Sequence, residues 1–224
     1  VDGFGRVVRD LRISVTDRCN FRCNYCMPKE VFDTNYKYLP HSSLLSFEEI
    51  TRTASIFVAH GVQKIRLTGG EPLLRKNLEL LIEQLAVLRT PDGLPLDLTL
   101  TTNGSQLAKY AKELAAIGVR RVNVSMDTLD PDKFRELTRW GDLDQVMHGL
   151  DAAQQAGLHG KINAVALRGV NDMEFDKLIR FSHGRGMDLV LIEVMPMGEI
   201  GDQARLDQYL PLSLARTEIA RHFT

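Results

Sequence analysis

Six short runs rich in β-branched residues, each followed by a segment of helical periodicity, constrain this chain more than any other feature. The runs predict strands near 11–16, 64–68, 97–102, 121–126, 161–167 and 188–195. Helices are predicted near 46–60, 77–88, 107–117, 131–139, 143–156 and 173–185. Gly61, Gly118, Gly157 and Gly186 each follow the last periodic residue and read as helix stops. Ser46 with Glu49 reads as a capping box, Asp142 or Asp144 as a cap, and Pro91–Gly93 as a turn. Repeated strand–helix units imply a parallel sheet with right-handed crossovers, open or rolled into a barrel.

The pattern inside the strands separates these two. A parallel strand covered on both faces reads as a continuous apolar run, whereas these alternate. Leu11, Ile13 and Val15 alternate with Arg12, Ser14 and Thr16; Ile65 and Leu67 with Arg66 and Thr68. Leu98 and Leu100 oppose Thr99, Thr101 and Asn103; Val122, Val124 and Met126 oppose Asn123, Ser125 and Asp127. Lys161 and Asn163 oppose Ile162 and Ala164, and Glu193 is read onto the polar face opposite Ile192 and Val194. One apolar face must meet the helices, and the polar face must line a space. The expectation is an α/β fold: an incomplete (βα)6 TIM-like barrel with parallel strands and a polar lumen. A flat sheet with one solvated face is the alternative. Arg12, Arg66 and Lys161 in one lumen would suit a polyanionic small molecule.

Across 224 residues, 28 Lys+Arg balance 29 Asp+Glu to a net charge of −1, which argues against binding nucleic acid or an anionic membrane through bulk charge. No membrane span or signal peptide is evident, and a cytoplasmic protein is expected. The chain starts at Val1 and stops at Thr224 inside a helix-like segment, so a fragment is expected: 1–196 a barrel core, 197–224 the start of a truncated C-terminal region.

The three cysteines, Cys19, Cys23 and Cys26, fall within eight residues. An odd, clustered set is no disulfide framework. C-x3-C-x2-C directly after the first strand lies where α/β folds build their sites. Three thiolates can hold an iron–sulfur cubane that normally takes four, leaving one iron open. A zinc site completed by His41, or three inert thiols, are the alternatives.

Leu11–Cys19 and Cys26-Met27-Pro28, together with Arg66–Arg75 and Thr101–Gly104, make the chain resemble the radical S-adenosylmethionine (SAM) superfamily, and within it the GTP 3′,8-cyclases of molybdenum cofactor biosynthesis. The resemblance implies a [4Fe–4S] cluster on Cys19, Cys23 and Cys26, its open iron chelated by SAM. It implies SAM contacts at Tyr25, Gly70, Ser125 and Met195, and GTP contacts at Arg12, Arg66, Thr101 and Lys161. Gly69 and Gly70 would let the backbone approach a ligand, with Glu71 holding the methionyl ammonium; a strand-to-helix turn would need the same glycines. Ser125 and Thr101 could equally satisfy nearby backbone, and Met195 could be core filler. Asp127 and Glu193 are read as lumen acids, Trp140 as packing, and the six histidines as structural.

The implied reaction is reductive cleavage of SAM to a 5′-deoxyadenosyl radical that converts GTP to (8S)-3′,8-cyclo-7,8-dihydroguanosine 5′-triphosphate. An electron donor is required, and a homodimer is possible. The cyclase family carries a second [4Fe–4S] cluster in a C-terminal region, for which this chain offers no cysteines. A peptide-modifying radical SAM enzyme or a non-catalytic metal-binding module would share the cysteines but have no use for lumen cations.

Overall fold

The structure, a computed structural model, describes residues 3–28, 31–195 and 207–223. Six strands form one sheet in chain order, every neighbouring pair parallel: β1 Asp10–Ser14, β2 Lys64–Thr68, β3 Asp97–Thr102, β4 Val119–Ser125, β5 His159–Ala166 and β6 Asp188–Glu193. Among the described residues seven helices accompany them: α1 Phe47–Ala59, α2 Leu78–Ala86, α3 Leu107–Ala116, α4 Pro131–Thr138, α5 Leu143–Gln155, α6 Phe175–Gly184 and α7 Leu212–Ile219. β1 pairs only with β2 and β6 only with β5, so the barrel is left open between them. None of the helices is long and apolar enough to cross a membrane, among the described residues.

Local chemistry sets the element ends. The Ser46 hydroxyl accepts from Glu49 N while Glu49 Oε2 accepts from Ser46 N, closing the capping box that starts α1. Asp142, not Asp144, caps α5 by accepting from Asp144 N. Asp130 caps α4 in the same way, at Asp132 N and Lys133 N.

Ile65, Leu67, Leu98, Leu100, Val122, Val124, Ile162 and Ala164 point outward under the helices and are 4% exposed or less. Each of the larger ones contributes roughly 1.5–3 kcal/mol by leaving water. The opposite face is polar and buried at its centre, while Arg12 and Ser14 on the β1 edge and Asp188 on the β6 edge are exposed. Thr99 and Asn123 are each 2% exposed. A flat sheet would leave both wet, so the sheet curls around them and the lumen is real.

Register stacks that lumen in layers two residues, roughly 6.6 Å, apart. One layer runs Arg12, Arg66, Thr99, Arg121. The layer nearer the carboxyl ends holds Ser14, Thr68, Asn123, Lys161 and Asp188, with Thr101 paired to Asn123.

Two expectations need correction. Glu193 does not face the lumen: it aligns with Ala166, on the outward face of Ala164. There its carboxylate accepts from Leu212 N (2.8 Å) and the Tyr209 hydroxyl (3.0 Å), tying α7 to the barrel. β4 starts two residues earlier than read, because a bulge opposite Leu98 and Thr99 spaces Val119 and Val122 three apart and breaks the alternation. The boundary expected between 196 and 197 lies outside the described residues. Leu210 and Ala215, beyond it, are packed in the same core as the barrel.

Candidate active site

The three cysteines lie in the loop that leaves β1, and four neighbouring elements hold that loop. Val15 N donates to Thr68 O, continuing the β1–β2 ladder past the strand end. Gly70 N donates to Thr16 O (2.7 Å) and Glu71 N to Arg18 O (2.8 Å). A Cβ at Gly70 would run into the Arg18 carbonyl, and one at Gly69, whose φ is +150°, into the Thr16 backbone. The paired glycines therefore serve backbone-to-backbone contact with the cysteine loop.

Glu71 completes that turn from beneath. It is wholly buried, and its carboxylate accepts from Leu73 N, the Thr102 hydroxyl and Asn103 N. These take three of roughly four acceptor positions a carboxylate offers. Burial raises its pKa while the three donors oppose the rise.

Past the cysteines, Arg22 N donates to Thr138 O and Asn24 N to Leu137 O, stitching the loop to the end of α4. The Tyr25 hydroxyl donates to Asp127 Oδ2 at 2.5 Å, and Val165 N donates to Asp127 Oδ1 at 2.7 Å. Burial pushes Asp127 up to about 6, against the lowering effect of those two donors. Asp127 is thus occupied by protein, although it lies at the lumen end of β4. Asn103 Nδ2 donates to Asn20 Oδ1 and lies 3.8 Å from Cys19 Sγ, with Ser105 closing the same network.

Arg22 was invisible to motif reading. Only 9% exposed, it donates through Nη1 to the carbonyls of Cys19 and Phe21, and its guanidinium lies over the rings of Tyr38 and Trp140. Trp140 is correspondingly 66% exposed, a lid on that cation rather than core packing.

Cys19 and Cys23 are half-buried and Cys26 is exposed. Burial raises the Cys23 thiol first, and the charges of Asp127, Cys26 and Cys19 add to it. Burial likewise raises Cys19, opposed by the Phe21 N–H at its sulfur. The thiols therefore sense one another's charge. Yet no three Cys, His, Asp or Glu groups converge as a single-ion site requires, among the described residues. A cubane takes each thiolate on a separate iron, whereas a structural zinc needs four ligands on one ion. His41 is exposed in the short 3₁₀ turn His41–Ser43.

Beside the loop, Tyr25, Cys26, Val165, Ile192, Glu193, Val194 and Met195 line a cavity of about 340 Å³. Tyr25 and Met195, read separately in the sequence, thus share one wall; Met195 is 66% exposed and is no core filler. Ser125 ends β4 opposite Asn163. The GTP-assigned residues line the layers below: Arg12 aligned with Arg66, and Thr101 with Asn123, which aligns with Lys161. Lys161 pairs with Asp188 at 3.1 Å. Burial, then the Arg12 charge, holds the Arg66 pKa below its ordinary value. Arg121 lies in the same layer and pairs with Asp97; the bulge hides it from the period-two pattern of β4.

Residues 13–182 match the radical SAM superfamily. The chain is 59% identical over all 224 residues to the GTP 3′,8-cyclase of Rhizobium etli (strain CIAT 652) and 57% identical to that of Agrobacterium fabrum (strain C58 / ATCC 33970). It spans 62% of the length of each of those relatives. Among solved structures, Streptococcus suis SuiB bound to S-adenosylmethionine superposes with a TM-score of 0.77 at 18% identity, covering 96% of this chain and 48% of that one. Hexahistidine-tagged anSMEcpe with bound AdoMet gives 0.71 at 18% identity, covering 97% and 57%. At such identities these two establish the barrel.

Proposed function

The chain belongs to the radical SAM superfamily, and from that premise we propose that it is the cluster- and SAM-binding barrel of a GTP 3′,8-cyclase, acting in the first step of molybdenum cofactor biosynthesis. One observation carries the reading: the C-x3-C-x2-C loop is fixed at the mouth of a polar lumen whose next layers hold arginines and a lysine. Bound there, a [4Fe–4S] cluster would supply the electron that cleaves SAM to a 5′-deoxyadenosyl radical, which converts GTP to (8S)-3′,8-cyclo-7,8-dihydroguanosine 5′-triphosphate.

The rest is the work of this chain's own residues. Cys19, Cys23 and Cys26 hold the cluster. Tyr25 and Met195 flank the adenosyl end of SAM across their shared cavity. Gly70 presents main chain, and Ser125 a hydroxyl, to its remaining polar groups. Glu71, wholly buried, fixes the turn whose main chain would meet the methionyl ammonium. Arg12 and Arg66 take the triphosphate through bidentate pairs, and Lys161 adds a point charge. Thr101 offers a hydroxyl beside them. The lumen's task is to fix the distance between the reacting atoms and to hold stray hydrogen donors away from them. Residues 1–196 form the barrel portion and 197–224 lead toward a C-terminal region carrying a second cluster. A reducing cytoplasm and an external electron donor complete the reading.

Anaerobic reconstitution with iron and sulfide, followed by electron paramagnetic resonance with and without SAM, tests the site. A reduced cluster whose signal changes on adding SAM is expected; a colourless, fully coordinated zinc ion would overturn the reading. GTP should bind the wild type and bind Arg66→Ala at least tenfold more weakly, the loss of a charged bidentate pair. The 224-residue chain, which spans 62% of its relatives' length, should cleave SAM slowly and not cyclise GTP; robust turnover would contradict the proposal that cyclisation draws on the rest of that length.

A further inference from the structure

The cationic layer in the lumen is longer than the resemblance assigns. Arg12, Arg66, Thr99 and Arg121 align across four successive strands, and residues in register share a face. The alignment of Arg121 depends on the β4 bulge. Val119 pairs with Leu98, and the next pair is Arg121 with Thr99, so Arg120 is passed over and left exposed. A bulge that re-aims a side chain is a device often found beside active sites.

The layer is electrostatically incomplete. Arg66 is depressed by burial and then by the charges of both Arg12 and Arg121, with Asp10 and Asp97 opposing. Asp10 is taken by Lys64 at 3.5 Å and Asp97 by Arg121 at 2.5 Å. Among the described residues no acid pairs with Arg12 or Arg66. Two buried polar atoms in the same layer also lack a partner: Thr99 Oγ1, on a residue 2% exposed, and Arg66 Nε. Like charges gathered beside an unsatisfied hydroxyl and an unsatisfied guanidinium N–H cost free energy unless an anion completes them.

We propose that Arg121 and Thr99 extend the polyphosphate seat of the lumen, Arg121 binding a phosphate oxygen in competition with Asp97 and Thr99 donating its hydroxyl to the same group. Asp97 is then a resident competitor that holds Arg121 in place and lowers the affinity it delivers. The inference rests on the GTP reading only for the base; the layer itself recognises a linear polyphosphate.

Calorimetric titration of the 224-residue chain with inorganic tripolyphosphate, and separately with GTP and ATP, tests this in wild type, Arg121→Gln, Thr99→Val and Asp97→Asn. Arg121→Gln should weaken tripolyphosphate about tenfold, the loss of one charge-assisted hydrogen bond. Thr99→Val should weaken it about threefold, as a neutral hydrogen bond would. Asp97→Asn should strengthen it, because the competing charge is gone. A merely structural Arg121–Asp97 pair gives the reverse sign at position 97, so this variant decides even if Arg121→Gln folds poorly. The proposal is overturned if wild type does not bind tripolyphosphate, if Arg121→Gln folds and binds within twofold of wild type, or if Asp97→Asn leaves affinity unchanged or lowers it. Tripolyphosphate binding with this pattern but no preference for GTP over ATP keeps the layer and removes the guanine reading. GTP binding indifferent to positions 97, 99 and 121 does the opposite.

Discussion

Asp127 shows what a single buried carboxyl does to the whole chain. Its pKa is pushed up to about 6 from an ordinary 3.8, so the folded state holds its proton more tightly than the unfolded chain. The stability it contributes is complete below pH 3.8 and lost as pH rises through about 6; beyond that the buried charge costs about 3 kcal/mol, at 1.36 per unit. Asp127→Asn should remove this falling limb, and the Tyr25 hydroxyl can turn to accept from the new amide. Melting temperatures of both proteins from pH 4 to 7 check it; parallel curves would refute the assignment. Glu71 is the contrasting case. Glu71→Gln places an NH2 group where one of three donors already points, and should cost about 1–3 kcal/mol in urea unfolding, the loss on leaving a buried donor unpaired. Gly70→Ala should depress iron and sulfide bound per chain after reconstitution, because the new methyl displaces the Arg18 carbonyl and with it the loop.

Among the elements, those with a strict period were legible. Every expected strand and helix exists, since apolar residues at spacing two or 3.6 report the buried face directly. The capping box at Ser46 is a local signal, and Ser46→Ala should destabilise the chain by about 1 kcal/mol in chemical denaturation. The failures are physical too. β4 carries Val119-Arg120-Arg121-Val122, a spacing of three that only pairing with β3 explains, and so Arg121 escaped notice. β6 reads Leu189-Val190-Leu191-Ile192 without alternation, so nothing local says which way Glu193 points; its pairing with Ala166 does. Glu71 had the motif but not the environment, since its donors come from its own turn and from the end of β3, thirty residues on.

For the molecule as a whole, net charge conceals the arrangement of charge. The chain carries −1 overall, yet its lumen layers gather Arg12, Arg66, Arg121 and Lys161. GTP affinity should therefore fall severalfold between 50 and 500 mM KCl, as the Debye length shrinks from roughly 14 to 4 Å, while a neutral guanosine should be indifferent; equal salt response of the two ligands would refute it. The lumen was legible because polarity alternates in five strands; its mouth was not, because the bonds that build it join residues far apart in the chain. Those bonds at the mouth have a further consequence. Thr16 and Arg18 meet Gly70 and Glu71 through main-chain atoms alone, which any residue at 18 supplies equally well. The side chains make contacts of their own, Thr16 Oγ1 accepting from Arg18 N and the Arg18 guanidinium lying over Tyr38, but it is the number of residues from the end of β1 to Cys19 that sets the match. One inserted residue would slide each carbonyl past its N–H and carry the first thiol out of reach of the other two. In this part of the chain, length is as much a structural constraint as residue type.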